Sequence, residues 1–359
     1  MKKLLGLLLV LSLYIFTGCV TNENLQTPVQ AANEPVSEYQ RFSEWFLEGA
    51  FDTLTTVMGY TKTHEEFLYY AHQVILPDLR RLHQLFSKFD EFPGINNIYT
   101  INQNAGVSPV EVDPVIIEML KLALEAYEIS SGTANIAIGP ITNIWRDYIA
   151  AANAGSPTRP NMDALLAASE FVNMSDVVID ETNNTVFLRK EGMVLDVGGI
   201  AKGFAVEYLA QRALEAGLND FNISIGGDVR LSGTPHSNEN GLWGVGVENP
   251  RESGAIMDVL TLTDVAVLSS GDYQRFFELD GNRYHHIIDP GTLMPATEYM
   301  SLTVIFPHAG MGNVLTTAGF ILEIDEAKAL FASVGAEAIW VLHDGSIITT
   351  PGYERLRRQ

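Results

Sequence analysis

The strongest constraint on the fold of this 359-residue chain is the order in which its strand-like and helix-like segments follow one another. Short apolar runs with strand periodicity come in succession, broken by single helical stretches, and regular strand–helix–strand alternation is missing. That order opposes a doubly wound parallel sheet and predicts an α+β fold. The globular pattern begins near Ser43. "FDTLTTVMGYT", from Phe51, reads as a strand with alternating threonines, and residues 64–89 and 114–129 carry apolar positions at helical spacing. "ANAGSPTRPN" reads as a loop before a helix over 162–170. "TVFLRK" and "MVLDV" read as a hairpin turning at Glu191-Gly192. The second of these runs into Gly198-Gly199 and a helix capped by Gly217. "FNISI" then meets Gly226-Gly227-Asp228, and an apolar helix near 314–322 precedes a last strand near 338–342.

The N-terminus sets an address. "MKKLLGLLLVLSLYIFTGC" has a Lys2-Lys3 start, an apolar run too short to span a membrane comfortably, and small residues before the only cysteine. Residues 1–18 therefore read as a signal peptide of the bacterial lipoprotein kind, with Cys19 as the lipidated residue and 19–42 as a polar tether. A lipid anchor on the extracytoplasmic face of a bacterial membrane, periplasmic or cell-surface, is the expected location. With Cys19 lipidated no thiol is left, which excludes disulfides, zinc thiolates and a cysteine nucleophile. Residues 43–350 read as one domain, and 351–359, with "RLRR", as a short solvated basic tail. A formal charge of −22 opposes nucleic-acid binding but leaves room for a local phosphate site.

Four stretches could carry chemistry. In "LDVGGIAKGFAVE", a strand, two glycines and a helix start let backbone N–H groups approach an anion. Lys202 lies in the first turn of that helix, where a bare cation is unfavourable and an anionic ligand would relieve it. Asp196 could accept hydrogen bonds from a ring edge or face a metal. "NISIGGDVRLSG" repeats the strand-then-Gly-Gly-Asp arrangement through Gly227 and Asp228. "GNVLTTAGFILE" places oxygen-bearing side chains at Asn313, Thr316 and Thr317, and Asn313 and Thr317 share a helix face. Hard oxygen donors suit Mg²⁺, although an N-cap with two buried threonines is the plainer reading. In "RYHHIIDPGTLMPA", strand geometry sends His285 and His286 to opposite faces, so at most one joins a site. A single imidazole near Asp289 could then take a proton from an attacking hydroxyl. Walker, dinucleotide-fold, zincin and G-x-S-x-G patterns all fail.

Together these stretches resemble the ApbE family, the FAD:protein FMN transferases. The likeness covers roughly residues 45–345 through "FDTLTTVMGY", "GTANIAIGPITNIW", "LDVGGIAKGFAVE", "NISIGGD", "SSGDYQRFFELDGNRYHHIIDP" and "NVLTTA", in the family's order. It implies an α+β fold of mixed or antiparallel sheets with packed helices around an FAD cleft. It also implies Mg²⁺-dependent splitting of FAD and attachment of FMN to a Thr or Ser of a target protein. On that basis Asp196 and Lys202 would contact FAD. Thr133, Ala134 and Asn135 would border it, with Gly227, Asp228 and Ile287, and Phe51 would pack on the flavin. A Gly199 carbonyl, Asn313, Thr316 and Thr317 would hold the metal, and His286, with Asp289, would be the base.

The chain departs from the family at Asn313 and Asn135, where Asp is usual, and in "DPGTLMPA", where DPRTGxPA is common. The resemblance therefore also allows a FAD pyrophosphatase or a weakened FAD-binding lipoprotein. A solute-binding lipoprotein without nucleotide is the rival from another class. The acceptor implied is a subunit of a membrane redox complex.

Overall fold

The computed structural model describes residues 38–47, 49–237 and 240–358. The signal peptide, Cys19 and the tether up to residue 37 lie outside the described residues. The centre of the fold is an eight-stranded sheet in the order Gln40–Phe46, Thr55–Thr61, Phe221–Ile225, Asp228–Ser232, Ala266–Gly271, Tyr299–Phe306, Glu337–Leu342, Ile347–Thr349. Every neighbouring pair in it is antiparallel, so the expected α+β class holds.

Alternation along the strands builds two cores, because successive side chains point to opposite faces. Leu268, Val304, Ala338 and Trp340 face the helices Ala201–Ala216 and Ala309–Ile321. Val267, Ile305 and Ile339 face the hairpin Trp243–Glu248/Ile256–Leu262. A third core joins the helix Gly139–Asn153 to the hairpin Phe276–Leu279/Asn282–His285 through Trp145, Phe277 and Tyr284. The Trp145 indole N–H donates to the Leu293 carbonyl at 2.9 Å and fixes that hairpin's exit.

Three expectations about element bounds and pairing are corrected. The strand read from Phe51 starts at Thr55; Ala50–Asp52 forms a tight helical turn in which Phe51 and Asp52 both take left-handed φ, 56° and 55°. "MVLDV" pairs with no hairpin partner. Thr185–Leu188 pairs with Val177–Asp180 and Val110–Glu111 instead, and 193–197 keeps one bridge, Val194 to Ile138. Buried Met193, Leu195 and Val197 give it strand periodicity, but Asn102 and Ile136 take its backbone bonds. The long helix ends at Phe86 rather than 89, since Ser87 turns extended and its hydroxyl accepts from Phe89 and Asp90 N–H.

The arginines of the tail are exposed, as expected, but its backbone is docked on the domain. Tyr353 is fully buried against the second core, Arg357 pairs with Asp258 at 2.9 Å, and Thr261 N–H donates to the Leu356 carbonyl. At the other end, the first strand begins at Gln40, inside the segment read as tether.

Candidate active site

A cavity of about 320 Å³ opens where the two sheet-covering helices meet the Phe276–His285 hairpin. That size lies at the lower end of small-molecule sites. Its wall includes Phe51, Thr133, Ala134, Asn135, Asp196, Gly199, Lys202, His286, Ile287, Asn313 and Thr317. Residues scattered over more than 260 positions of sequence are thus brought together as expected.

The helix Ala201–Ala216 delivers Lys202. Its ammonium is taken by the buried Asp228 carboxylate, from the turn after Phe221–Ile225. Burial pushes the Asp228 carboxyl up, against the pull of the Lys202 charge and hydrogen bond. Asp228 therefore stands behind Lys202 and does not line the cavity, and neither does Gly227, whose φ of 91° serves the turn. The unfavourable cation at the helix start is relieved from inside the protein rather than by a ligand.

Backbone at that helix start is also largely committed. Gly198 N–H donates to Asp196 Oδ1 at 3.0 Å, Ile200 and Ala201 N–H to the Val197 carbonyl, and Gly203 N–H to Asn313 Oδ1 at 3.2 Å. The expected backbone cradle for an anion is correspondingly reduced.

Asp196 has a partner that sequence reasoning missed. Lys88 Nζ lies 2.6 Å from Asp196 Oδ2, the Thr142 hydroxyl donates to the same oxygen at 2.6 Å, and Lys88 also reaches Asn143 Oδ1. Burial alone would raise this carboxyl; the Lys88 charge and the three hydrogen bonds outweigh it and hold it at about 2. Helical periodicity carried past Phe86 had hidden Lys88 inside a helix. The available signal was Ser87, a helix-stop residue whose hydroxyl can bond the backbone just beyond it.

The strand Asn282–His285 decides between the histidines. His285 is buried, with Nε2 donating to the Ala296 carbonyl at 2.6 Å and Nδ1 accepting from Ile287 N–H at 3.2 Å. It is a structural residue. His286 lines the cavity as a half-buried residue, and its Nδ1 is sealed away from solvent with no hydrogen-bond partner among the described residues. Burial, with the nearby Arg275 charge, lowers its pKa to about 3, so the ring is neutral.

Asp289 does not join it. The Asp289 carboxylate accepts from Gly291 N–H at 2.7 Å, and its backbone closes the turn with Leu293 and Met294. It shapes the exit of the hairpin and is off the cavity wall.

The helix Ala309–Ile321 starts five residues earlier than Val314, with His308 as its N-cap. Asn313 is therefore interior to it, and its amide reaches across to Gly203. A Cβ on Gly203 would lie 2.4 Å from Asn313 Cβ, so glycine is what lets the two helices touch. Thr317 faces the cavity, and a Cβ on Gly199 would come within 3.1 Å of its hydroxyl. Thr316 is corrected: its hydroxyl is fully buried, donates to the Asn313 carbonyl at 2.8 Å and accepts from Ser270 at 2.9 Å. It packs the helix on the sheet.

The cluster Gly199, Asn313 and Thr317 offers only neutral oxygens, and no group of three His, Cys, Asp or Glu suited to a metal occurs among the described residues. Such a donor set fits a hard cation that draws most of its ligands from substrate phosphates. Asn313 Oδ1 keeps a second lone pair for it. One side of the wall is aromatic, with Phe51 held by its N–H to His83 Nδ1 at 3.1 Å and edge-on to the His83 ring.

The sequence pattern that defines the ApbE family matches residues 51–340. The chain belongs to the ApbE family. Its relatives include the FAD:protein FMN transferase of Klebsiella pneumoniae (strain 342), 32% identical over 299 residues, spanning 80% of this chain and 88% of that protein. The FAD:protein FMN transferase of Treponema pallidum (strain Nichols) is 32% identical over 263 residues, 70% of this chain and 72% of that protein. Among solved structures, the ApbE protein of Thermotoga maritima superposes with a TM-score of 0.78 at 29% identity, covering 89% of this chain and all of that one. The flavin transferase ApbE of Vibrio cholerae shares the fold, with a TM-score of 0.72 at 20% identity over 89% of this chain and 99% of that one. Within this ApbE-family chain, Lys88, Thr142, Arg146 and Arg275 are among the cavity-lining residues that sequence reasoning overlooked.

Proposed function

We propose that this chain is an FAD:protein FMN transferase: it splits the pyrophosphate of FAD and joins FMN through a phosphoester to a Ser or Thr of an acceptor protein. The observation that carries the reading is His286, a neutral imidazole on the wall of the cavity that Gly199, Lys202 and Thr317 also line. The His286 imidazole accepts the proton of the acceptor hydroxyl as its oxygen forms the bond to the flavin-side phosphorus. The bond from that phosphorus to the bridging oxygen breaks, and AMP leaves with the electron pair.

Phosphate anions entering beside His286 favour the imidazolium and raise its proton affinity when the base is needed. Lys202, pre-oriented by Asp228, lies on the same wall. Phe51, fixed by His83, offers a ring for the flavin to pack on. Gly199, Asn313 and Thr317 would hold Mg²⁺ together with the phosphates, and that ion supplies charge neutralisation to the pyrophosphate and to the departing AMP. The lipoprotein signal supports anchoring through Cys19 outside the cytoplasm, with a subunit of a membrane redox complex as acceptor.

The test uses the full-length protein with FAD, Mg²⁺ and membranes of the source organism. Transfer yields a UV-fluorescent band on a denaturing gel together with AMP. FMN and AMP without a labelled band mark a pyrophosphatase. Absence of both AMP and label refutes the cleavage chemistry.

A further inference from the structure

The cavity wall carries four cations: Lys88, Arg146, Lys202 and Arg275. Asp196 neutralises Lys88 and Asp228 neutralises Lys202. Arg146 lies 3.6 Å from Asp147 and covers the Phe89 ring. Arg275 alone among them has no carboxylate within ion-pair distance among the described residues. It is exposed, in a chain whose formal charge is −22. A dinucleotide's linked phosphates bring two negative charges into this cavity, and paired lysines have little to spare for them.

The hairpin register sets where the backbone of Arg275 lies. Phe276 pairs with His285 in the hairpin register, so Arg275 faces His286 one step further along. The segment before it is clamped by Asp272, which is buried, accepts both N–H groups of Arg251 at 2.7 and 2.8 Å, and receives Arg283 at 3.4 Å. Asp272 N–H also donates to the Met300 carbonyl. Arg275 and Gln274 further line a shallow outer depression beside the cavity, with Phe276 and Glu278. Arg275 therefore lines both the cavity and the outer depression, beside His286 and just after the segment that Asp272 clamps.

We propose that Arg275 grips the flavin-side phosphate, the group that is transferred, and so is a catalytic residue of this chain. The inference rests on the transferase reading above. A guanidinium fork matches two phosphate oxygens at once, which a lysine cannot do. Aimed at the phosphorus beside His286, it stabilises the charge that spreads over the equatorial oxygens as the bridging bond breaks. It also links binding to proton transfer. Burial first, and then the Arg275 charge with those of His285 and Lys202, suppresses protonation of His286. With phosphate held by Arg275, that charge is offset and the imidazole becomes a competent base.

The test compares riboflavin with FMN, which differ by the phosphate alone. Binding of each to the full-length protein is followed by flavin fluorescence in wild type, Arg275→Gln and Arg275→Lys. The expected result is that Arg275→Gln weakens FMN about 10-fold or more while riboflavin changes less than about twofold, with Arg275→Lys between. In FMN transfer from FAD to source membranes, Arg275→Gln should lower the single-turnover rate about 100-fold. The acid limb of its pH profile should move towards higher pH, as the suppressing charge on His286 is gone. Equal weakening of both flavins, or a wild type that does not discriminate between them, overturns the role of Arg275 while leaving transfer intact. If Arg275→Gln slows transfer yet keeps the FMN preference, the guanidinium acts on the acceptor and the proposal fails. Wild type that binds neither flavin sinks the transferase reading itself.

Discussion

His286 sets a pH dependence of stability that can be worked from the structure. Its pKa falls from an ordinary 6.5 to about 3 because the ring is buried beside Arg275, His285 and Lys202. The unfolded chain binds a proton at this residue below pH 6.5, and the folded chain does not until about pH 3. Stability is therefore intact above 6.5 and declines as pH falls through that window. Each pH unit in the window costs at most about 1.4 kcal/mol, or about 2 kcal/mol at pH 5. Replacing His286 by Asn removes this group from the balance, whereas the buried His285, whose shift has the same sign, stays in both proteins. Urea unfolding of the full-length protein and of His286→Asn between pH 4.5 and 7.5 measures the difference. The gap between the two should be constant above pH 6.5 and should move in favour of the variant by about 2 kcal/mol on reaching pH 5. A gap that stays flat to within a few tenths of a kcal/mol across the whole range would refute the buried, neutral imidazole and, with it, the argument for a dormant base.

The contact between the two central helices predicts that Gly203→Ala destabilises by about 1–3 kcal/mol in the same assay, because its Cβ would overlap Asn313 and the Ala309 carbonyl. Gly244→Ala, where an added Cβ meets nothing within 4 Å, should be neutral; similar losses at both sites would show that helix contact is not the cause. The two threonines should part company. Thr317→Val should raise the Mg²⁺ needed for half-maximal AMP release about tenfold. Thr316→Val should leave that requirement unchanged and cost about 1 kcal/mol of stability through the stranded Ser270 hydroxyl. The reverse pattern would return Thr316 to the metal.

Much of the fold was legible because period-2 and period-3.6 patterns report burial directly. The helix over 114–129 and the one ending at Gly217 are seen where expected, the latter closed by a glycine at φ 104°. The split of the His285-His286 pair followed from strand geometry. Segment 193–197 misled because buried alternation fixes which side chains point inward, not which backbone they bond to. Asp228 and Thr316 were placed in the site by residue type. Whether a polar side chain faces a cavity or a neighbour two strands away depends on long-range pairing that local spacing does not encode. Lys88 was missed for the same reason: its partner Asp196 is 108 residues away. Phe51 was placed on the wall correctly although the strand assigned to it was wrong, since its left-handed backbone leaves no mark in composition.

The first strand has a mechanical corollary. Gln40–Phe46 is an outermost strand, zipped over seven residue pairs to Thr55–Thr61 from Gln40↔Thr61 inwards. A pull applied at residue 40 loads those ladder bonds one after another, so the strand peels at low force instead of shearing as a block. The next backbone to be reached is the turn at Ala50–Asp52, which carries Phe51. Tension on a domain held by this end would therefore reach the flavin-facing wall before it disturbed the central strands.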